Sequence, residues 1–410
     1  MDNLSHSVVG LAVGELVQRG LAPEPNPLDQ HLRRRLLLGS CWAASNFPDL
    51  DIVFSSLLPR PLGYLLHHRG HTHTLLYAVP QAMLLVALIW LLWPAARRLL
   101  AQSKSARRGI ALAVGLGFIL HLAIDYLNSY GIHPFHPFDS RWFYGDMVFI
   151  LEPLFWIAAG VPLAMMVKRR AIRMTLLGML TGTLGWGAHA GFLHWSSIVL
   201  LGLVGVAVAA VQSSAHPGAR RPLVAGLAAC LAFVAIQGVG SSRGKYELAA
   251  ELRQRDPAAE LVDVSMTAYP ANPLCWNFIT VERNEPADAY RLRRGVLSLA
   301  PGLFPVEQCP AGMNGSSLRQ HSSPDIAILS ANQGSLATLL RMEQENCYFR
   351  AWLRFARTPL VTGDSASDLR FSMAMTTNFS TIDLTHFAGQ ACPANVPNWA
   401  FPRADLLRSR

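Results

Sequence analysis

The sequence predicts a mainly α-helical membrane domain followed by a C-terminal α+β domain outside the membrane. Of the 410 residues, 51% are hydrophobic and only 15% are charged, which is typical of a membrane protein. Long apolar runs fill residues 1–240, whereas residues 241–410 have the composition of a soluble domain. Four histidines lie between positions 67 and 73, directly before the first long run. We therefore predict a membrane domain at 1–240 that carries the chemistry, and a soluble domain at 241–410.

Six apolar runs are long enough to cross roughly 30 Å of hydrocarbon. They cover residues 74–96, 109–127, 147–167, 174–193, 195–212 and 222–240. Two shorter stretches, 4–18 and 33–45, are too brief to cross alone. We expect these two to form a helical hairpin that is partly inserted in the membrane.

The distribution of charge predicts the orientation of the spans. Residues 1–240 hold 18 basic and 10 acidic residues, against 17 and 16 in residues 241–410. The loops at 97–108 and 168–173 are basic, which predicts that both lie in the cytoplasm. The histidine group and the C-terminal domain then lie on the extracytoplasmic side. A basic excess confined to the membrane half argues against nucleic-acid binding.

Four cysteines support an exported C-terminal domain. Cys275, Cys309, Cys347 and Cys392 all lie in it, which predicts up to two disulfides in one of three connectivities. Residues 261–266 and 278–281 alternate as strands do, and 334–356 have helical spacing, with 287–299 as a further helical candidate. These patterns predict the α+β class.

The membrane domain contains imidazoles and carboxylates in patterns that favour a metal site. His121 and Asp125 are four residues apart, so a helix brings them to one face. An Asp in an apolar span is costly without a partner, although an ion pair or a cap at the helix end would also explain Asp125. The other candidates on the same side are His6, Asp49, Asp51, His67, His68, His71 and His73.

A second tier of polar residues follows the second span. His133 and His136 lie in an aromatic loop that is typical of a membrane interface, with an outer ligand role as the alternative. Asp146 and Glu152 are the remaining acids near this surface, and Glu152 has a helix N-terminus as its alternative place.

Mixed imidazole and carboxylate ligands suit zinc, manganese or non-haem iron. More than four good ligands suggests two ions, which would stabilise the attacking and leaving oxygens of a displacement. Arg69 could then bind an anionic group such as a phosphate through its planar fork.

Several motifs together resemble the membrane-bound metal-dependent hydrolases similar to the LexA-binding inner-membrane protein of enteric bacteria. The matching motifs are an N-terminal helix with one histidine, Pro48-Asp49-Leu50-Asp51, the stretch from His68 to Thr74, and His121 with Asp125 as H-x-x-x-D. The second stretch is like the family pattern H-R-G-x-T-H-S, with Thr74 in place of the final serine. The resemblance covers roughly residues 1–160 and leaves His67 and His71 outside the motif.

The resemblance implies a ligand set and a reaction class. Its ligands are His6, Asp49, His68, His73, His121 and Asp125. Asp51 would orient a ligand or act as a base, and Arg69 would bind the anion. The ligand order is also similar to that of the all-helical zinc-dependent phospholipase C and P1-type nucleases, which implies phosphoester hydrolysis.

We therefore expect an integral protein of a bacterial inner membrane that uses zinc or another divalent metal, as one ion or two. Metal-activated water would cleave a phosphoester of a lipid or lipid-linked substrate from the bilayer. The alternatives are a metal-binding membrane protein without catalysis, acting in stress signalling or partner recruitment, and a transporter. The last is weakened because the later spans lack buried ionisable groups.

Overall fold

The computed structural model describes residues 1–310, 312, 323–372 and 377–408. The membrane half is helical throughout. Its helices are α1 (Asn3–Gly20), α2 (Pro27–Ala44), α3 (Leu62–His67), α4 (Leu75–Leu92), α5 (Pro94–Gln102), α6 (Lys104–Tyr126), α7 (Pro153–Met165), α8 (Arg170–His189), α9 (Trp195–Ser214) and α10 (Arg221–Arg255). A 3-10 helix, Phe47–Leu57, lies between α2 and α3, and a single 3-10 turn, His71–His73, precedes α4.

Four helices of the described chain are long and apolar enough to cross a membrane, namely α4, α6, α9 and α10. The predicted run 147–167 is different, because regular helix begins only at Pro153 and α7 is 13 residues long. Nearly all of α7 is buried, so its apolar composition reflects an internal helix rather than a span. The run at 174–193 forms α8, whose Arg170, Arg173 and several glycines keep it outside the set of candidate spans.

The hairpin predicted near the N-terminus is present as α1 and α2, which are capped and 18 residues long each. Asp2 and Asn26 accept hydrogen bonds from the first free N–H groups, and Pro27 opens α2. Both helices pack against α6, and α1 also packs against α7. The N-terminal histidine of α1 is thereby held beside the polar end of α6.

The C-terminal region is an α+β unit built on antiparallel sheets. The first sheet contains β1 (Glu260–Tyr269), β2 (Asn272–Asn284), β3 (Ala289–Ser298) and β4 (Ile326–Ser335) in that order. The second contains β5 (Pro359–Thr362), β6 (Ser365–Asp368) and β7 (Ile382–Asp383). Helices α11 (Leu336–Glu345) and α12 (Cys347–Leu353) lie between the two sheets in the chain.

The structure of this region differs from the sequence-based expectations at two places. Residues 287–299 are not helical, because β3 is paired on both sides, with Leu292 opposite Val281 on β2 and Asn332 on β4. The helix α10 also continues through position 240, where the sequence placed the domain boundary, and the sheet starts at Glu260. The expected disulfides are present, as Cys275–Cys309 and Cys347–Cys392.

Candidate metal centre

The loop between α3 and α4 is bent so that His73 points into the protein. Its backbone turns at Arg69, which has φ 58°, a conformation that is uncommon outside glycine. Gly70 follows, and a Cβ there would lie 2.9 Å from the carbonyl oxygen of His67. After the 3-10 turn, Thr74 caps α4 by accepting a hydrogen bond from the N–H of Tyr77. The result is a fully buried His73 at the start of a span.

Three other elements bring polar groups to His73. The end of α6 supplies His121 and Asp125, one helical turn apart and both fully buried. The 3-10 helix after α2 supplies Asp49 and Asp51, and α1 supplies His6.

Four side chains converge on one point. Ligand atoms of Asp49, His73, His121 and Asp125 all lie within 4.8 Å of one another. The Nε2 atom of His73 is 3.3 Å from Asp49 Oδ1 and 3.1 Å from Asp125 Oδ2. The corresponding distances from His121 Nε2 are 3.6 and 3.4 Å, and the two Nε2 atoms are 2.9 Å apart. A tetrahedral ion with bonds of 2.0–2.1 Å separates its ligand atoms by about 3.3 Å, so this spacing fits zinc.

The other nitrogen of each ring has an acceptor. His121 Nδ1 lies 2.8 Å from the carbonyl oxygen of Ser45, so it donates its proton there. His73 Nδ1 lies 3.2 Å from Asp51 Oδ2. Hydrogen bonds of this kind fix the tautomer that leaves Nε2 free as a metal ligand. The two Nε2 lone pairs then face each other, an arrangement that needs a cation between them.

The carboxylate oxygens and the pKa values of the cluster also indicate that it binds a cation. Asp49 Oδ1 and Asp125 Oδ2 are buried and accept no well-aligned hydrogen bond from the part of the chain that the structure describes. Burial by itself would lower the pKa of His73, but its contacts with Asp125, Asp49 and Asp51 outweigh burial and raise the pKa to about 10. Burial would raise the pKa of Asp49, whereas its contacts with His73 and His121 lower it to about 2. The site therefore holds a positive charge firmly, either a proton or a metal ion.

The two remaining predicted ligands lie beside the cluster. His6 stacks on His121 with ring centres 4.2 Å apart, and its Nε2 is 3.2 Å from Asp125 Oδ1. His68 lies outside the four converging groups, with its ring centre 5.9 Å from that of His73, and pairs with Asp51, with Nδ1 2.9 Å from Oδ1. The structure thus brings four of the six predicted ligands together. Of the other two, His6 contacts His121 and Asp125, and His68 contacts Asp51.

Asp51 lies behind the cluster as a hub of hydrogen bonds. Its carboxylate accepts from Thr72 Oγ1 at 2.7 Å and from the backbone N–H of Arg69 at 2.9 Å. It also faces His68 and His73. These contacts match the predicted orienting role and hold the loop in its bent conformation.

Arg69 is buried rather than open to a ligand. Its Nη2 is 2.9 Å from Asp125 Oδ1, and its Nη1 donates to Asn128 Oδ1 at 3.0 Å. The guanidinium lies over the ring of Tyr130, and Nε is buried without an acceptor. The amino group of Met1 also contacts Asp125. In this geometry Arg69 neutralises Asp125, and anion binding by Arg69 stays a prediction.

The second tier of predicted residues is engaged elsewhere. Asp146 pairs with Arg357 of the C-terminal region and with Lys245 of α10, and Glu152 accepts from the N–H groups of Leu154 and Ala271. Both carboxylates therefore join the helical and α+β parts.

Trp399 connects the C-terminal region to the histidine loop. Its indole N–H donates to the carbonyl oxygen of Leu66 at 2.8 Å, and its ring stacks on His133, 3.8 Å between centres. The rings of His71 and His136 each lie 4.8 Å from it.

Asn128 and Tyr130 were only weakly indicated by the sequence, and Trp399 was not indicated at all. Asn128 and Tyr130 directly follow the H-x-x-x-D motif, in a loop whose aromatic character suggested a membrane interface. Trp399 is more than 300 residues from the loop that it contacts, and no pattern in the sequence connects the two.

Fold and site together define a helical integral membrane protein with a buried Asp/His cluster that could hold a metal ion. Residues 1–191 match the family model described as YdjM inner membrane protein. The chain is also similar to the "Uncharacterized protein YfhP" of Bacillus subtilis (strain 168), at 25% identity over 158 residues. That alignment covers 38% of this chain and 44% of YfhP, so the chain spans less than half of this relative. No solved structure matches. All four clustered residues fall inside the matched range 1–191, and the sheets lie outside it.

Proposed function

We propose that this protein is a membrane-embedded metal-dependent hydrolase that cleaves a phosphoester of a lipid or lipid-linked substrate. One observation carries the proposal. The Nε2 atoms of His73 and His121 face each other and two carboxylate oxygens at distances that fit a tetrahedral ion, while their Nδ1 atoms lie against acceptors.

A divalent ion held by these four side chains would supply Lewis acidity and, with a water molecule as a further ligand, would lower the pKa of that water. The residues around it have distinct tasks. Asp51 holds the His73 ring in place, and Arg69 offsets the charge of Asp125. Asp49 and His68 are the partly exposed members of the group, so a substrate approaches from their side.

The position of the site supports a substrate from the bilayer. His73 lies two residues before the span α4, and His121 and Asp125 lie in the last turns of the span α6. The scissile group of a membrane lipid lies at this boundary. We further propose that the site faces the extracytoplasmic side, because the basic loops predict the opposite ends of the spans to be cytoplasmic and the C-terminal region contains two disulfides.

Metal analysis and activity assays on the purified full-length chain test the proposal. We expect one or two equivalents of a divalent metal, and hydrolysis of phosphodiester or phospholipid substrates that is lost on chelation and regained on metal addition. His121→Ala should abolish both metal binding and activity. The matched control is His189→Ala, a change at the end of α8 and outside the metal cluster, which should retain both. Activity that is indifferent to chelation and to His121→Ala would contradict the proposal.

A second function is favoured by the burial of the ligands. His73, His121 and Asp125 are fully buried, as expected of a closed site that holds a metal without catalysis. Such a protein would act in signalling or partner recruitment through the C-terminal region. It would bind metal with the same His121 dependence but show no hydrolysis and no open coordination position by X-ray absorption spectroscopy.

A further inference from the structure

An unusual apolar surface adjoins the metal centre. The 3-10 helix Phe47–Leu57 turns Asp49 and Asp51 towards the cluster, whereas its apolar side chains point outwards. These side chains are between 46% and 64% exposed, and they belong to Leu50, Ile52, Val53, Phe54 and Leu57. Five large apolar side chains within eight residues form a larger exposed apolar patch than a water-soluble surface usually carries.

This segment lies at the level of the membrane boundary. It packs against α4 and α6 and against the turn His71–His73, which precedes the first residue of α4. The lipid-facing surface of α4 starts at once, with Leu75, Leu76 and Val79 exposed. The apolar patch is therefore continuous with the surface of a span.

The loop that contains Pro134 and Phe138 also exposes an apolar side chain near the start of α4. The N–H of Leu75 donates to the carbonyl oxygen of Pro134, so this loop also lies at the start of α4. Its Phe138 is 88% exposed. Aromatic side chains at this level are typical of the interfacial layer of a bilayer.

A cleft of about 840 Å³ lies beside the segment. Its lining includes Ile52, Leu58 and Phe379. The lining also includes Tyr64, whose ring stacks on His68 at 4.8 Å, and His68 pairs with Asp51 beside the metal centre. The exposed Arg60 is a further lining residue, which makes no ion pair with the described residues and can meet an anionic headgroup.

We propose that the Phe47–Leu57 segment is a membrane-docking surface that rests in the interfacial layer of the bilayer and opens the cleft beside Tyr64 and His68 to lipid. The bilayer is the occupant because the patch adjoins the lipid-facing surface of α4 and lies beside Arg60, a cation without an ion pair among the described residues. The statement that the substrate enters by this cleft rests on the proposed hydrolase function. The docking itself does not.

Depth-dependent fluorescence quenching tests the docking without an activity assay. Val53→Cys is labelled with an environment-sensitive fluorophore in nanodiscs that contain lipids with a nitroxide near the headgroup. The native cysteines leave little background, because Cys41 and Cys230 are buried and the other four are disulfide-bonded. We expect quenching close to that of Leu76→Cys on α4.

Ala258→Cys is the matched control for an exposed position outside the bilayer. It follows α10, whose 35 residues exceed the length of about 20 that crosses the hydrocarbon core. Quenching at Val53→Cys as weak as at Ala258→Cys would overturn the docking. Protection of Val53→Cys from aqueous iodide without quenching by the lipid nitroxide would indicate a protein partner or a second copy, and would also overturn it.

An activity comparison tests the route of the substrate. The triple change Val53→Ser, Phe54→Ser and Leu57→Ser, at exposed positions outside the lining of the cleft, should lower hydrolysis of a bilayer-embedded phosphoester by about tenfold, because it removes apolar anchoring area. Hydrolysis of a water-soluble phosphodiester should be unchanged. Leu28→Ser, on a 76% exposed leucine at the N-terminus of α2, is the control. An equal loss on both substrates would overturn the route. Absence of hydrolysis in the unmodified protein would instead refute the proposed function, while the quenching result would still decide the docking.

Discussion

At the scale of single residues, Asp51 has the largest influence on the geometry of the candidate metal centre. It does not belong to the four converging groups, yet it contacts Thr72, the backbone of Arg69, and the rings of His68 and His73. Because the second nitrogen of a metal-binding histidine is normally fixed by such a group, Asp51 sets the orientation of the His73 ligand atom.

Asp51→Asn should lower metal affinity by about 10–100-fold, the usual effect of removing a partner that orients a ligand. The amide is close in size to the carboxylate but cannot accept from all four donors at once. A competition titration with a chelating dye measures the affinity. Asp139→Asn, at a carboxylate paired with Arg141, is the control and should bind metal normally. Unchanged affinity in the Asp51 variant would show that the loop keeps His73 in place without it.

At the scale of elements, the N-terminus of α7 is a junction between the two parts of the molecule. Glu152 caps α7 by accepting from the N–H of Leu154 and also accepts from Ala271, in the turn between β1 and β2. Burial raises the pKa of this carboxyl to about 8, although both hydrogen bonds act in the opposite direction.

Glu152 should make stability fall as pH rises from 4.5 to about 8. Below this range the group is protonated in the folded and the unfolded chain, whereas within it only the unfolded chain has lost the proton. The free energy of unfolding then falls by up to about 1.4 kcal/mol per pH unit, and the loss is complete above the folded-state pKa. Glu152→Gln keeps an acceptor and should flatten this part of the profile.

Thermal unfolding in detergent at pH 5.5 and 8 measures this effect. The unmodified protein should lose several degrees of Tm more than Glu152→Gln between the two pH values. Glu251→Gln, on a partly exposed side chain of α10, should behave like the unmodified protein. Parallel profiles for the unmodified protein and Glu152→Gln would refute this assignment.

The segment around Trp399 is a second junction, because it packs on the loop that carries His73. Trp399→Ala should reduce metal affinity by about tenfold or more as well as stability, since it frees the carbonyl oxygen of Leu66 and removes the wall beside Gly70. Trp276→Ala is the control, because Trp276 is equally buried but belongs to an apolar cluster around β1–β3 and α10. Its Tm should fall while its metal affinity is retained. Equal metal affinity in the two variants would contradict a positioning role for Trp399.

The sequence predicted those parts of the site that depend on local geometry. His121 and Asp125 share a face because a helix places residues i and i+4 together, and the apolar run made that helix certain. His68 was different, because the positive φ of Arg69 turns the chain between His68 and His73. The two rings contact different oxygens of Asp51, and only His73 belongs to the metal cluster. A pattern of residue types does not contain that turn.

In the fold, too, features that depend on local sequence were predicted, and features that depend on distant contacts were not. The ends of α4 and α6 are close to the predicted runs, since apolar length determines a span. Residues 289–298 form a strand because two neighbouring strands pair with them, and the segment just before the predicted run 147–167 pairs through Asp146 with Arg357. Both outcomes depend on contacts that are distant in the sequence.

At the scale of the whole molecule, the α+β region is anchored to the helical region by buried charge. The guanidinium of Arg357 makes paired hydrogen bonds of 2.8 and 2.9 Å to Asp146 and contacts Asp263 as well. Arg357 and Lys245 thus both form ion pairs with the carboxylate of Asp146. If one region unfolded alone, the buried charge in the other would lose its partner, which is costly. We therefore expect the two regions to unfold together.

The orientation of the whole molecule can be measured with two single cysteines. Ala258→Cys lies beyond the end of α10 that joins the sheet, and Gln102→Cys lies at the end of α5 beside the basic loop. If the α+β region is extracytoplasmic, a membrane-impermeant maleimide should label Ala258→Cys in intact cells and Gln102→Cys only after the membrane is permeabilised. The physical reason is the retention of basic loops on the cytoplasmic side. The reverse pattern would place the metal centre and both disulfides in the cytoplasm, where thiols are normally kept reduced, and would refute the proposed orientation.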